Sequence, residues 1–408
     1  MATYKWEFAS RFRSRAFGWR SDLPIKRIKE ALSEIKQVAR KEPVLAAEGA
    51  VLFLGKLSAA LEQVDSSSGA IGSTVSAAIA TLVPIIARAD VDSSKRQQWL
   101  DRLWQAIQDD TMPYLDSLGS YWGELCVTPF LASRWADQLQ HVVELVWSPE
   151  TGSYGCFSGT VICLASLFKA GRHDDLLALL EKAPRKWWYD REWGVKALAA
   201  QGKTDEAIRY AEDTQGINEP YRLIALACEE ILLAAGRHSE AYERYALDAN
   251  QSTTNLATFR TIVKKYPHKP PADILSDLIA STPYDAGKWF AAAKSAGQFE
   301  VAMKLVQDSP TDPRTLVRAA RDHATQRPDF ALACGMAALR WIASGFGYDI
   351  SGGDVLGAWD AIQQAAVAGK MDRQQVHAQV LAICDTPQPG SDFIKSLLAR
   401  QLQEYCQL

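Results

Sequence analysis

A chain of 408 residues, 48% apolar and 23% charged, is too long for one small core and reads as a soluble globular protein with two or three packed regions. Its formal net charge of −3 excludes the molecule as a whole from the obvious binders of nucleic acid or anionic membranes. The seven cysteines, at 126, 156, 163, 228, 334, 384 and 406, form no CxxC pair and mostly sit in apolar helical runs, which excludes a disulfide framework or a zinc site and implies buried thiols in a reducing compartment.

The opening M-A-T-Y-K-W-E-F lacks the apolar stretch of a signal peptide, and the longest apolar run, Val75–Ala87, is too short to span a bilayer. A cytoplasmic protein without membrane insertion is therefore expected. Residues 1–22 form a basic aromatic arm in which Arg11, Arg13, Arg15 and Arg20 alternate with Phe8, Phe12, Phe17 and Trp19. Three readings are open for it: packing its rings onto the first helices, gripping an acidic partner or phosphate backbone, or disorder.

An N-terminal helical region follows over 23–150. Ile25, Ile28, Leu32, Ile35 and Val38 recur at helical steps after Pro24. Further helices are expected from Pro43, at about 74–89 with a kink at Pro84, and at 93–108 behind the Asp92-Ser93 cap. Helices over 112–125 and 128–147 complete the region. Trp99, Trp104, Trp122, Trp135 and Trp147 lie on apolar stripes, which places them in the core. Residues 151–160 read as a linker or ordered loop; their Gly and Ser content lacks the G-K-[ST] and the preceding strand of a phosphate-binding loop.

Over 161–345 a helix-turn-helix signature recurs. A-G-R-H-D-D-L, Q-G-K-T-D-E-A, A-G-R-H-S-E-A and A-G-Q-F-E-V-A place Gly at 171, 202, 236 and 297, in steps of 31, 34 and 61. Such a period suits stacked helical hairpins. The expected pairs are 161–170 with 173–182, 187–200 with 204–213, 219–235 with 238–249, a divergent pair over 253–280, 285–296 with 299–307, and 313–325 with 328–344. A C-terminal helical cap is expected over 346–408. No strand pattern persists, so the fold class is all-α: a right-handed α-solenoid of stacked antiparallel helical hairpins with an N-terminal helical region.

G-K-T-D-E-A-I-R-Y-A (Gly202–Ala211) and G-R-H-S-E-A-Y-E-R-Y (Gly236–Tyr245) resemble the second helix of a tetratricopeptide repeat, with Ala207 and Ala241 at the position where that family's helices cross closely. The first helices depart from the family's large–Leu–Gly pattern: Gly194 is one position off, and Glu229 and Phe290 stand in the equivalent place elsewhere. K-K-Y-P-H-K-P-P-A-D-I-L and G-K-W-F-A-A-A-K also resemble a functionally uncharted bacterial helical-repeat family, which carries no chemistry across. The resemblance implies a divergent tetratricopeptide-like solenoid.

Catalytic, cofactor and metal residues are not expected. The six histidines form no H-E-x-x-H and no local ligand cluster, and no G-x-S-x-G elbow occurs. Asp349 and Asp354 flank a Gly-rich loop that reads as a helix cap. Glu229 and Glu230 are odd within an apolar run and stand either as an inward ligand group or as a wet helix edge. The stronger signal is aromatic and basic: Trp187, Trp188, Tyr189 and Arg191, then Lys288 and Trp289, are candidate partner-binding residues. Three consecutive rings cannot share one helix face, so at least one should be exposed. Arg11, Arg13, Arg15, Arg20, Lys264, Lys265, His268 and Lys269 are candidate contacts to an anionic partner. The expected function is a scaffold or regulatory adaptor that binds a protein or peptide on a concave repeat surface. A nucleic-acid-binding accessory protein and an enzyme with a site assembled from distant residues remain the alternatives.

Overall fold

The computed structural model describes residues 4–148, 157–214 and 220–405. Every regular element among them is helical, so the chain is all-α. Its contacts divide it into two compact units, Met1–Ala235 and Gly236–Leu408. This division falls inside the expected repeat region; most of the expected 151–160 linker lies outside the described residues.

The first unit runs through α1 (Glu7–Arg11), α2 (Asp22–Ala39), α3 (Pro43–Leu61), α4 (Ala70–Arg88), α5 (Ser93–Gln108), α6 (Asp116–Gly119), α7 (Trp122–Cys126) and α8 (Pro129–Trp147), then α9 (Gly159–Lys169), α10 (His173–Leu180), α11 (Trp188–Ala200), α12 (Thr204–Glu212) and α13 (Tyr221–Ala234). The arm is part of its core. Trp6, Phe8, Phe12 and Phe17 are buried, and Phe8 and Phe12 meet Phe53 of α3 edge-on at 5.3 and 5.0 Å. The single helix expected over 112–125 is two short ones. Asp110 accepts the Leu115 N–H at 2.7 Å and also holds the Ser58 hydroxyl, which ties the chain down just before α6.

Two helices exceed the expected apolar lengths: α3 and α4 are long and apolar enough to cross a bilayer by length and composition. Ala70, Ile71, Gly72, Ser73 and Thr74 precede Val75 in α4, which makes the helix 19 residues long. The apolar window of α3 is 61% buried inside the unit and that of α4 39%.

The second unit holds α14 (His238–Ala241), a π-helical turn (Tyr242–Ala246), α15 (Leu247–Ala249), α16 (Asn255–Lys265), α17 (Pro271–Ala280), a 3-10 turn (Ala286–Trp289), α18 (Phe290–Ser295), α19 (Phe299–Asp308), α20 (Pro313–His323), α21 (Pro328–Ala343), α22 (Gly352–Ala368), α23 (Arg373–Asp385) and α24 (Ser391–Tyr405). Asp354 and Ser351 form a capping box at the start of α22, and Asp354 also pairs with Arg314 at 3.3 Å.

The recurring Gly has one conformation throughout. Gly171, Gly202, Gly236 and Gly297 take φ of 74°, 74°, 74° and 72°, in the left-handed region that a Cβ disfavours by roughly 1 kcal/mol. The following residues, Arg172, Lys203, Arg237 and Gln298, share a second set, with φ between −84° and −88°. After Gly171 the Arg172 N–H donates to the Leu167 carbonyl at 3.0 Å; Lys203 to Leu198 and Gln298 to Ala293 repeat this bond. These are Schellman closures, which use up the last carbonyls of each helix and reverse the chain. Five residues after each Gly, Leu176, Ala207, Ala241 and Ala302 are fully buried where the next helix crosses. In the first unit α11 packs against α9, α10, α12 and α13; in the second α16 packs against α17 and α18.

Candidate interaction groove

The first unit carries a groove of about 500 Å³ centred on α11, the helix between α9 and α13. Trp188, Glu192, Val195 and Ala199 follow one another at steps of four, three and four, so one face of α11 forms a wall. Ala227, Glu230, Ile231 and Ala234 do the same on α13, and Phe168 adds the end of α9. Apolar side chains therefore make most of the lining, and three charges stand among them. Lys196 pairs with Glu192 at 3.3 Å, one turn away, and its ammonium lies 4.2 Å from the Trp193 ring centroid. Glu230 is exposed and makes no ion pair among the described residues. Its neighbour Glu229 is fully buried, so the acidic pair divides between core and groove.

The charge of Glu192 reaches a second carboxylate. Asp190, in the first turn of α11, is pushed up to about 6 by burial and then by Glu192. It makes no hydrogen bond through its side chain among the described residues, which is why burial dominates.

The aromatic triplet splits as the helix period requires. Trp188 is buried and lines the groove, while Trp187 and Tyr189 are 49% and 67% exposed. Arg185 stacks its guanidinium 5.3 Å from the Trp187 ring centroid. Arg191 does not project outward. It is buried, donates from Nη2 to the Tyr210 carbonyl at 2.5 Å and from Nε to Thr214 at 3.3 Å, and lies 3.6 Å over the Tyr210 ring. Its position clasps α11 to α12.

Lys288 and Trp289 belong to the second unit and not to this groove. Trp289 is buried with its indole N–H donating to Thr282 Oγ1 at 2.8 Å, and Lys288 pairs with Asp285 at 3.6 Å. Trp188 and Trp289 are thus each buried within their own unit, whereas Trp187 and Tyr189 are exposed.

The candidate anion contacts are also divided. Arg11 pairs with Glu30 at 3.0 Å and Glu7 at 3.4 Å, and Arg15 with Glu62 at 3.0 Å. Those two guanidiniums are taken by carboxylates, whereas Arg13 and Arg20 are exposed with no ion pair among the described residues. Lys265 donates to Asn250 Oδ1 at 3.1 Å, and Lys269 pairs with Asp277 at 3.1 Å beneath the Tyr242 ring. Lys264 is exposed, and the His268 ring meets His238 at 6.4 Å.

Among the described residues no three His, Cys, Asp or Glu side chains converge as a metal set would. The described cysteines are buried, and burial pushes the thiols of Cys126, Cys163 and Cys334 up to about 12, which makes them inert. Compared with protein-family models, curated proteins and solved structures, the chain matches none.

Proposed function

We propose that this chain is a protein-interaction scaffold, a right-handed α-solenoid of tetratricopeptide-like hairpins that takes a peptide segment of a partner protein into the α9–α11–α13 groove. The carrying observation is the groove's composition: an apolar floor under one unpaired carboxylate, Glu230, beside a self-neutralised Glu192–Lys196 pair. The shared left-handed Gly at the four turns, each followed by a buried small or apolar residue, supports the stacked-hairpin reading.

The occupant that fits is a segment with one large apolar side chain flanked by Lys or Arg. The apolar group gains by leaving water for the Val195–Ala199–Ile231 floor, and the flanking cation answers Glu230. Trp188 supplies a rigid wall with little side-chain entropy left to lose.

The test is fluorescence polarisation with labelled peptides that carry a central Leu or Phe flanked either by Lys or by Glu. Lys-flanked peptides should bind about tenfold tighter, and Glu230→Lys should invert that order. Absence of binding by every peptide to the folded chain, or a Glu230→Lys variant with unaltered flank preference, would overturn the proposal.

A further inference from the structure

From the outer face of α2 we infer a second, independent surface: a basic stripe, anchored by an exposed tryptophan and leucine, that docks this chain on an anionic lipid bilayer. At 100° per residue, Lys26, Lys29, Lys36 and Arg40 fall within an arc of about 80°. All four are exposed. The opposite side of the helix, Pro24, Ile28, Ala31 and Ile35, is buried, and α2 packs on α3 and α4. Packing therefore fixes the stripe outward along roughly 21 Å of helix.

The stripe is not neutralised from within. Two of the three carboxylates of α2 itself are already engaged: Glu30 by Arg27 and Arg11, and Glu34 by the backbone N–H groups of Glu7 and Phe8. Asp22 is the one acid on the same arc, at its N-terminal end. Arg13 and Arg20 are two further exposed cations in the segment just before α2, in a chain whose formal net charge is −3. Four to eight clustered Lys and Arg on an amphipathic helix are what an anionic lipid surface attracts, each adding about fivefold in partition.

Two apolar side chains choose the bilayer over a nucleic acid. Trp19 is 72% exposed and Leu23 51% exposed, and Leu23 borders the stripe, about 60° around the helix from Lys26. A tryptophan alone could stack on a base. An exposed leucine has no role on a phosphate backbone but gains by entering the headgroup–acyl boundary. Contact is peripheral: α2 cannot roll its buried face into lipid without leaving α3 and α4.

The full chain is tested by co-sedimentation with phosphatidylcholine vesicles and with vesicles containing about 30% phosphatidylserine, at low and high salt, alongside a single-stranded oligonucleotide. Sedimentation should need phosphatidylserine and weaken with salt. Lys29→Gln with Lys36→Gln should weaken it about twenty-five-fold, two cations at about fivefold each. Trp19→Ala should weaken it about fivefold while leaving the salt dependence unchanged, because it removes an apolar anchor and not a charge. Lys304→Gln, an exposed lysine of the second unit, serves as the control and should change nothing. Unaltered far-ultraviolet circular dichroism and melting of each variant show that the fold is kept. Indifference to phosphatidylserine, an unaffected double variant, or retention of the oligonucleotide without vesicle binding would each overturn the inference.

Discussion

Trp188 and Trp289 stand close to the starts of α11 and α18, each near a lysine in sequence, and both are buried; what surrounds them differs. Around Trp289 the second unit is closed. The indole N–H is satisfied by Thr282, and Gly287, two residues earlier, lies so close to Pro310 and Thr311 that a Cβ would collide with the Pro310 carbonyl. The Gly287 N–H donates to Ser309 Oγ at 2.9 Å, and its carbonyl accepts from Thr311 Oγ1. Trp188, although only 5% exposed, lines the 500 Å³ groove. Burial alone therefore does not separate a structural tryptophan from one that meets a ligand. Unfilled volume beside the ring does.

The sharpest way to break this comparison is truncation of each ring. Trp289→Ala should cost about 3–5 kcal/mol, because a closed site cannot collapse around the void and Thr282 loses its donor. Hydrogen exchange would show it as faster exchange of peptides from the second unit, with peptides from the first unit little changed. Gly287→Ala comes next, at about 3 kcal/mol, since the clashing atom is backbone and has nowhere to move. Equilibrium urea unfolding measures it, and a variant as stable as the parent would show that the 3-10 turn is free to open. Trp188→Ala should cost only about 2 kcal/mol, because the ring already borders open volume, but it should abolish the peptide polarisation signal. Equal destabilisation at both tryptophans would erase the distinction between the two sites.

The helical pattern was readable because its signals are local. Gly171, Gly202, Gly236 and Gly297 each need a left-handed turn, and the residue five positions on needs to be small or apolar at the crossing; both requirements lie within seven residues of sequence. The helices expected at 93–108 and 128–147 stand within a residue of α5 and α8, whose Asp92 and Thr128 side chains accept N–H groups of the first turn. The site was less legible because partners and faces are set at longer range. Besides Glu7 within the arm, Arg11 finds Glu30 19 residues away and Arg15 finds Glu62 47 residues away, and no reading of the arm reveals these distant partners. The W-W-Y run tells that its rings must diverge, but which one turns inward depends on α9 and α13 as neighbours of α11. The groove faces of α11 and α13 also escaped notice because both helices are apolar on more than one side, so the face left uncovered carries no periodic mark. On α2 the opposite holds: its basic stripe was present in the spacing of Lys26, Lys29, Lys36 and Arg40, and became meaningful once Glu30 and Glu34 were seen to be engaged elsewhere.

The smallest effect asks whether solvent is kept from the carboxylate at the start of α11. Asp190 titrates at about 6 in the folded chain because burial, helped by Glu192, opposes its charge; the unfolded value lies near 3.9. A raised acid binds its proton more tightly when folded, so its stabilising contribution is complete below about pH 4 and is lost as the pH rises through about 6. Above that pH the ionised carboxylate opposes folding. Asp190→Asn keeps the shape of the neutral acid and should stabilise the chain at about pH 8 by roughly 1 kcal/mol, less than the full shift implies, because water reaches part of the side chain. For a unit of this size that is a rise of about 2–4 °C in melting temperature, shrinking as the pH falls from 6 toward 4. Calorimetric melts of parent and variant across that window decide it. A gap that stays constant with pH would mean that Asp190 is as well solvated as any surface aspartate. The first turn of α11 would then be as open to water as the groove beside it, and Trp188 would lose the dry surroundings that set it apart from an ordinary exposed ring.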